Sequence, residues 1–410
     1  MEYIEAFNGF RGYGFLNVVL DHYTYPTGRV LDFGQFGVGM FYVLSSYLLT
    51  LILYTQYIEK GTLNLINYWI RRFFRIYPIF TIALILEYFL GRFDLRNLIG
   101  IFFLYNLKGV YWTIYIEMRF YVLIPLIVWI FANIKNSYFK FGLMGMITTI
   151  GYVYHYYLNF ILDGKGYRRW DISGFKWEKN IVFVNYLPIF LFGSFMAIIV
   201  YHLKKANCNF NSYSILKGIF ILIVSLLHFP LIAYRSYKGN EPVLWDLPWS
   251  NLNSIFCVGY VFIFLFFHGE NFMSKFFGLK PIAFFGNISY PGYLLHTIVR
   301  DFFLLKLHFE KTFSTLVLSF FITIIISYIF HITIETYFIN LTKFWCYEKT
   351  ERKDNEISEN VYLKNETSKD DNNIDKSNLS ISTKETNAEI YINDQESQSL
   401  VIYFLIIKII

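Results

Sequence analysis

Arg11 and His22 lie within residues 7–50, a stretch that otherwise has the composition of membrane-spanning helices. A charged side chain at mid-bilayer costs roughly 2.5–3.5 kcal/mol on insertion scales, so such groups tend to line a polar cavity with a task. Eleven positions separate Arg11 from His22. In a helix this separation corresponds to about 16 Å and about three turns, which puts both side chains on nearly the same face. His22 is therefore a candidate general base near neutral pH. A helix-packing histidine with an arginine that reaches the interface fits the same spacing, and both interpretations stay open.

Arg72 and Arg75 form a second candidate cluster, at the start of a later apolar segment that carries Pro78 in its predicted first turn. Residues three apart share one helical face, and two neighbouring guanidinium groups suit a phosphate or pyrophosphate. A flank of positive charge that sets membrane topology explains the same pair.

Two further clusters combine aromatic and polar residues at the ends of apolar segments. Trp112 and Glu117 lie at the mouth of one segment, where Glu117 either interacts with the helix dipole, orients His22 or holds a hydroxyl group. Ser289 lies at the polar start of another segment, which carries a second intramembrane histidine, His296. Glycine and proline near Ser289 also fit simple helix packing.

The elements that position these residues are predicted to be transmembrane helices. The 410-residue chain is 55% hydrophobic and only 16% charged, against about 25% charged for a soluble domain. The fold class predicted is an all-α membrane protein, a bundle of about ten helices, each of about 20 apolar residues or slightly fewer. The predicted spans are Gly9 to Tyr25, Gly34 to Tyr54, Ile76 to Leu90, Ile116 to Ala132, Phe141 to Leu162, Ile181 to Tyr201, Ile215 to Ala233, Leu252 to Phe267, Ile282 to Leu304 and Phe313 to Ile334.

The remaining segments, the cysteines and the charge pattern limit the domain organisation and the function classes that fit this sequence. Asn97 to Leu107 is apolar but short, which predicts an interfacial or re-entrant piece, or an eleventh span. The transmembrane domain is predicted to cover residues 1–346, and 347–410 to be a polar, disordered tail with a short apolar end. The three cysteines have no metal-ligand spacing, so no metal is predicted. The sequence has no basic stripe of the kind that would indicate binding to nucleic acid. The positive charges of the predicted loops predict that the N-terminus lies in the cytoplasm.

Taken in order, these clusters resemble the acyltransferase 3 family of multi-span membrane acyltransferases, over about residues 7–338. The resemblance rests on six elements in sequence: Phe10-Arg11-Gly12 with His22, the run Gly37 to Ser45, Arg72 to Pro78, Trp112 to Glu117, Ile288 to His296, and Thr333-Ile334-Glu335.

The resemblance implies transfer of an acyl group, commonly acetyl, from a coenzyme A thioester to a hydroxyl of a carbohydrate or glycolipid. It implies His22 as the general base on the acceptor hydroxyl or as a relay in the transfer, Arg11 and Glu117 in the polar cavity, and no metal. The donor, an acyl-CoA, would be held by Arg72 and Arg75, with Trp112 and Ser289 as further contacts. The expected location is the bacterial inner membrane, in contact with lipids, with several passes and an undefined oligomeric state.

The chain also departs from the family pattern. Gly39 stands where the family usually carries an aspartate, so one carboxylate that could support His22 is missing. The tail is too poor in apolar residues to form the hydrolase-like domain fused to some relatives, so transfer is expected to need the membrane domain alone or a separate partner. Two alternatives remain: a transporter or exporter that uses Arg11, His22 and His296, and an inactive relative that acts as a scaffold.

Overall fold

The computed structural model describes residues 2–24, 33–106, 108–164, 178–206 and 272–345, and within these ranges the regular secondary structure is entirely helical. The described helices are α1 (Glu2–Thr24), α2 (Phe33–Lys60), α3 (Leu65–Phe89), α4 (Leu95–Phe102), α5 (Trp112–Asn133), α6 (Ser137–Gly164), α7 (Glu178–Lys205), α8 (Phe272–Phe277), α9 (Lys280–Asn287), α10 (Ser289–Asp301) and α11 (Phe313–Phe330). A single 3₁₀ turn, Gly109–Tyr111, leads into α5. Helix α10 continues through a π-helical turn, Phe302–Lys306. Helix α11 continues through another, His331–Glu335, into residues 336–345.

The helical class predicted from sequence is confirmed for the described residues, and the number of spans is only partly tested. Four described helices are long and apolar enough to cross a bilayer: Gly37–Lys60, Gly109–Asn133, Tyr186–Lys205 and Phe313–Trp345. The predicted spans Ile215 to Ala233 and Leu252 to Phe267, and the predicted tail, lie outside the described residues. Helix α4, at eight residues, is about 12 Å long and too short to span, which agrees with an interfacial piece.

Two predicted boundaries are wrong. Helix α3 begins at Leu65, so Pro78 lies inside the helix and not in its first turn. The reason is that Gly61, with φ of 68°, ends α2 in the left-handed conformation, and the next helix starts four residues later. The predicted span Ile282 to Leu304 is two helices that meet at Ile288, because Pro291 has no N–H to continue the backbone ladder there.

The chain divides into two compact units, which are described separately. The first contains residues 1–65 and 77–334, and the second contains residues 66–76 together with the chain from 335 onward. Within the described part of the second unit, Phe74 stacks on Phe338 with ring centroids 5.7 Å apart. Arg75 forms an ion pair of 3.4 Å with Glu335, which is buried.

In the first unit, α1 packs against α9 with almost no side chain between the two backbones. A Cβ atom placed on Gly286 would overlap the carbonyl oxygen of Asn8, and one on Gly12 would lie 2.5 Å from the carbonyl oxygen of Ile282. Small residues allow membrane helices to approach this closely. The amide of Asn8 also donates to that of Asn287 over 3.0 Å. This contact fixes α1, and so positions His22.

Helix α11 closes the other side of α10 with a stripe of hydroxyl groups. Thr315, Ser319, Thr323 and Ser327 are all buried, and they follow one another at intervals of four residues. Ser319, Thr323 and Ser327 each donate to the carbonyl oxygen four residues earlier, at 2.6–2.8 Å. The stripe therefore satisfies much of its own hydrogen bonding inside the helix.

A charged network joins the ends of α3 and α10 to α1. Arg92 contacts the buried Glu87 at 3.2 Å and Asp301 at 2.9 Å, and Asp301 also pairs with Arg300 at 2.7 Å. Arg300 in turn donates to the carbonyl oxygen of His22 over 2.9 Å. The alternation of cation and anion offsets much of the cost of removing these groups from water.

The close packing of α1 on α9 predicts a large difference between two glycine replacements. In Gly286→Ala the new methyl group collides with backbone, which cannot move aside as a side chain can, so we expect destabilisation of about 1–3 kcal/mol. Gly145→Ala is the control, because nothing lies within 4 Å of its Cβ. Thermal unfolding of the detergent-solubilised variants measures both. Equal melting temperatures would contradict the packing described.

The charged network predicts a similar contrast between two arginines. Arg92→Met leaves the buried carboxylate of Glu87 without its cation, and breaking a fully buried pair costs about 3–5 kcal/mol. We expect less than that here, because the Arg92 side chain is 22% exposed and water screens part of the interaction. The control is Arg96→Met on the exposed face of α4. If heating unfolds both variants at the same temperature, Arg92 does not hold the network.

Candidate functional site

The most direct contact among the candidate residues joins His22 of α1 to His296 of α10. The Nδ1 atom of His22 lies 2.6 Å from the Nε2 atom of His296. The ring planes are 15° apart and the centroids are separated by 4.8 Å. Parallel rings stacked face to face could not bring two nitrogens so close, so the rings meet edge to edge through a hydrogen bond. The two intramembrane histidines therefore form one pair.

His296 is held firmly within this pair. His296 is completely buried. Its Nδ1 atom lies 2.7 Å from the carbonyl oxygen of Tyr293 and 3.3 Å from that of Gly292. The Tyr23 hydroxyl donates to the carbonyl oxygen of His296 over 3.0 Å and lies 2.9 Å from the Thr323 hydroxyl. His296 thus has its ring and its backbone tied to α1, α10 and α11.

His22 differs from His296 in exposure. It is half-buried at the last turn of α1, and its carbonyl oxygen is the acceptor for Arg300 of the charged network. Its neighbour Asp21 points elsewhere, with its carboxylate against the start of α2, 2.6 Å from the place where a Cβ of Gly34 would lie.

Tyr293 connects the histidine pair to the start of α5. It lies one turn before His296, and its hydroxyl donates to the carbonyl oxygen of Val110 over 3.0 Å. The Tyr42 hydroxyl of α2 donates to the carbonyl oxygen of Thr113 over 3.3 Å. Three elements that are distant in sequence thereby meet around the first turn of α5.

Trp112 is the first residue of α5, and Glu117 lies five residues later in the same helix. The Trp112 ring packs on Tyr186 of α7 with centroids 5.3 Å apart. Glu117 is half-buried, accepts a short hydrogen bond from Tyr121, and interacts electrostatically with Tyr42. The structure thus places Trp112 and Glu117 in the same unit as His22, within a set of tyrosine hydroxyls.

Arg11 and Ser289 occupy less direct positions. Arg11 is buried in α1, about three turns before His22. Ser289 is buried at the first position of α10, where its hydroxyl donates to the carbonyl oxygen of Gly286 over 2.7 Å. In this arrangement the Ser289 side chain stabilises the end of α9.

Arg72 and Arg75 belong to the second unit. Arg72 is buried in α3, and Arg75 lies three residues later, in its ion pair with Glu335. A cation already held by a carboxylate keeps its geometry but offers less charge to a phosphate. Arg75 therefore offers an anion less than its full charge in this arrangement.

Sequence reasoning missed two partners of its own candidates and one charged network. The pairing of His296 with His22 was not predicted, although the presence of a second histidine in an apolar segment was the signal for it. The Arg75–Glu335 pair and the network around Arg92 join residues far apart in the chain, and no local spacing could have shown them.

Comparison with known proteins supports the family indicated by the motifs. A family model described as an acyltransferase domain, that of acyltransferase 3, matches residues 4–332. The peptidoglycan O-acetyltransferase of Listeria monocytogenes is 26% identical over 337 residues, which cover 72% of this chain and 49% of that protein. A putative O-acetyltransferase of Staphylococcus aureus is 24% identical, with 74% of this chain and 51% of that protein covered.

A further O-acetyltransferase of Staphylococcus aureus is 22% identical over 334 residues, with 72% of this chain and 50% of that protein covered. The chain thus spans about half the length of the curated relatives it matches. No solved structure matches it. Since the family model covers residues 4–332 of 410, well over half of the sequence, the chain belongs to the acyltransferase 3 family of membrane acyltransferases.

Proposed function

We propose that this protein is a membrane O-acyltransferase that moves an acyl group, acetyl in the simplest case, from acyl-CoA to a hydroxyl of a carbohydrate or glycoconjugate. The relatives named as O-acetyltransferases, one of them for peptidoglycan, support a glycan acceptor. The proposed setting is a bacterial inner membrane crossed several times, with the acceptor and membrane lipids as partners.

The observation that carries this proposal is the position of His22. A half-buried imidazole, held through Nδ1 by a fully buried one, lies in a predominantly apolar bundle. A histidine in such surroundings is suited to accept a proton from a hydroxyl group and to return it later. Simple helix packing would not require a second imidazole at hydrogen-bond distance.

The reaction follows from this placement of His22. As the acceptor hydroxyl oxygen attacks the thioester carbonyl carbon, His22 takes the hydroxyl proton. The carbon–sulfur bond then breaks, and the thiolate of coenzyme A leaves and receives that proton from the imidazolium. The products are one ester and one thiol. A thioester is already activated, so a base, charge stabilisation and a positioned site are enough.

Donor and cavity residues complete the proposal. Arg72 and Arg75 bind the phosphates of the donor through their guanidinium groups, and Glu335 neutralises part of the charge of Arg75. Trp112 and Ser289 contact the donor, while Arg11 and Glu117 maintain the polar cavity in which charge develops. The tyrosine hydroxyls near Glu117 support its part in this cavity.

The role of His22 is tested with purified protein, acetyl-CoA and soluble peptidoglycan fragments. We expect His22→Ala to lower the turnover of acetyl-CoA by about 100-fold or more, because general base catalysis contributes about 10²–10⁴. His202→Ala, which changes a histidine in α7 that contacts Tyr54, is the matched control and keeps its turnover. Normal turnover of His22→Ala would refute the assignment of the base. Uptake into proteoliposomes without any loss of thioester would instead identify a transporter.

The role of Arg72 is tested by comparing it with its neighbour Arg71. Arg72→Ala is expected to raise the KM for acetyl-CoA by about tenfold while changing kcat little, since a guanidinium–phosphate contact acts on donor binding. The side chain of Arg71 lies on another face of the helix, so Arg71→Ala should leave the KM for acetyl-CoA unchanged. Equal KM values for the two variants would exclude Arg72 as a phosphate ligand.

A further inference from the structure

The protonation pattern of the histidine pair follows from the atoms around His296. Its Nδ1 atom faces the carbonyl oxygens of Tyr293 and Gly292, which can only accept hydrogen bonds. The proton of a neutral His296 ring must therefore be on Nδ1. In a neutral imidazole the other nitrogen is then an acceptor, so Nε2 of His296 presents a lone pair.

This lone pair determines the tautomer of His22. The contact of 2.6 Å between Nδ1 of His22 and Nε2 of His296 needs one hydrogen, and only His22 can supply it. Neutral His22 then carries its proton on Nδ1 and its basic lone pair on Nε2. The nitrogen farther from His296 is thus the one that can take a proton.

The same hydrogen bond persists when His22 becomes charged. An imidazolium donates through both nitrogens, so protonation at Nε2 leaves the Nδ1 bond to His296 intact and strengthens it. Charging His296 as well would remove the acceptor and place two cations side by side, which Arg300 nearby would oppose further. The pair can thus take up one proton and release it without rearrangement.

We propose that His296 is a positioning residue that fixes His22 as the Nδ1-protonated tautomer and holds its ring for proton transfer at Nε2. This inference rests on the proposed function, in which His22 is the base. In hydrolases that use a histidine base a carboxylate has this orienting part, and here a neutral imidazole fulfils it. The arrangement gives His22 an orienting partner in a chain that has Gly39 where the family pattern leads one to expect an aspartate.

The frame around His296 supports a fixed orientation. The Tyr23 hydroxyl holds the His296 backbone, while Arg300 holds the backbone of His22. The backbones of both histidines are thus held independently of the bond between the rings, and the His296 ring is also held by the carbonyl oxygen of Tyr293. Because these groups are already ordered, the bond between the rings costs less additional entropy.

Two amide replacements at position 296 separate orientation from packing. The carboxamide of Gln reaches about as far as Nε2 of histidine and can accept from His22, whereas that of Asn reaches only as far as Nδ1. For His296→Asn we expect kcat to fall by about 10–100-fold, the range seen when an orienting partner is lost, with the KM for acetyl-CoA nearly unchanged. His296→Gln should restore at least about fivefold over His296→Asn by the same reasoning. His296→Leu should match His296→Asn.

Full-length protein in detergent, acetyl-CoA and soluble peptidoglycan fragments are used for all variants. His202→Asn and His202→Gln, on α7, are the matched controls and should equal the unchanged protein. Gel filtration and melting temperature confirm that compared variants are folded. Equal rates for His296→Gln and His296→Asn, or a kcat of His296→Leu within threefold of the unchanged protein, would overturn the proposal. Failure of the unchanged protein to consume acetyl-CoA would instead overturn the proposed function.

Discussion

The hydrogen bond between His22 and His296 is the interaction around which the described part of the first unit is arranged. Polar groups in an apolar bundle are costly unless each finds a partner, and here the partners lie 274 residues apart in sequence. The bond forms only if α1 and α10 meet. The glycine contacts of α1 with α9, the anchoring of the His296 backbone by Tyr23 and the bond from Arg300 to His22 all serve this meeting.

Local patterns predicted the elements well and their partners poorly. In the part of the chain that the structure describes, apolar segments identified the long helices, because each helix satisfies its own backbone and needs only an apolar surface. The break at Ile288 was visible as Pro291 but was not predicted as a break, since proline is tolerated in membrane helices when neighbours compensate. The start of α3 was missed because residues 65–75 mix aromatic and basic side chains, a composition that hydropathy alone excludes from a span.

The candidate site was predicted in its residue types rather than in its contacts. The free-energy cost of placing Arg11 and His22 in an apolar stretch was sufficient to identify them as candidate site residues. The partner of His22, by contrast, depends on how α1 packs on α10. The same holds for Arg75, whose carboxylate partner Glu335 lies 260 residues later in the chain and on the turn that follows α11. Such pairs depend on tertiary packing, which spacing within one helix cannot show.

The hydroxyl stripe of α11 repeats at intervals of four residues, which is close to one helical turn. Sliding this helix along its axis by about 6 Å, with a rotation of about 40°, would therefore present Ser319 or Ser327 to Tyr23 in place of Thr323, with almost the same chemistry. The stripe by itself cannot define the register. That task falls to contacts that do not repeat, among them the ring of Tyr328 against Phe284 and the short link of residues 307–312. Replacing the hydroxyls one at a time would leave the axial register of α11 intact. Replacing Tyr328 would instead remove one of the non-repeating contacts that define this register.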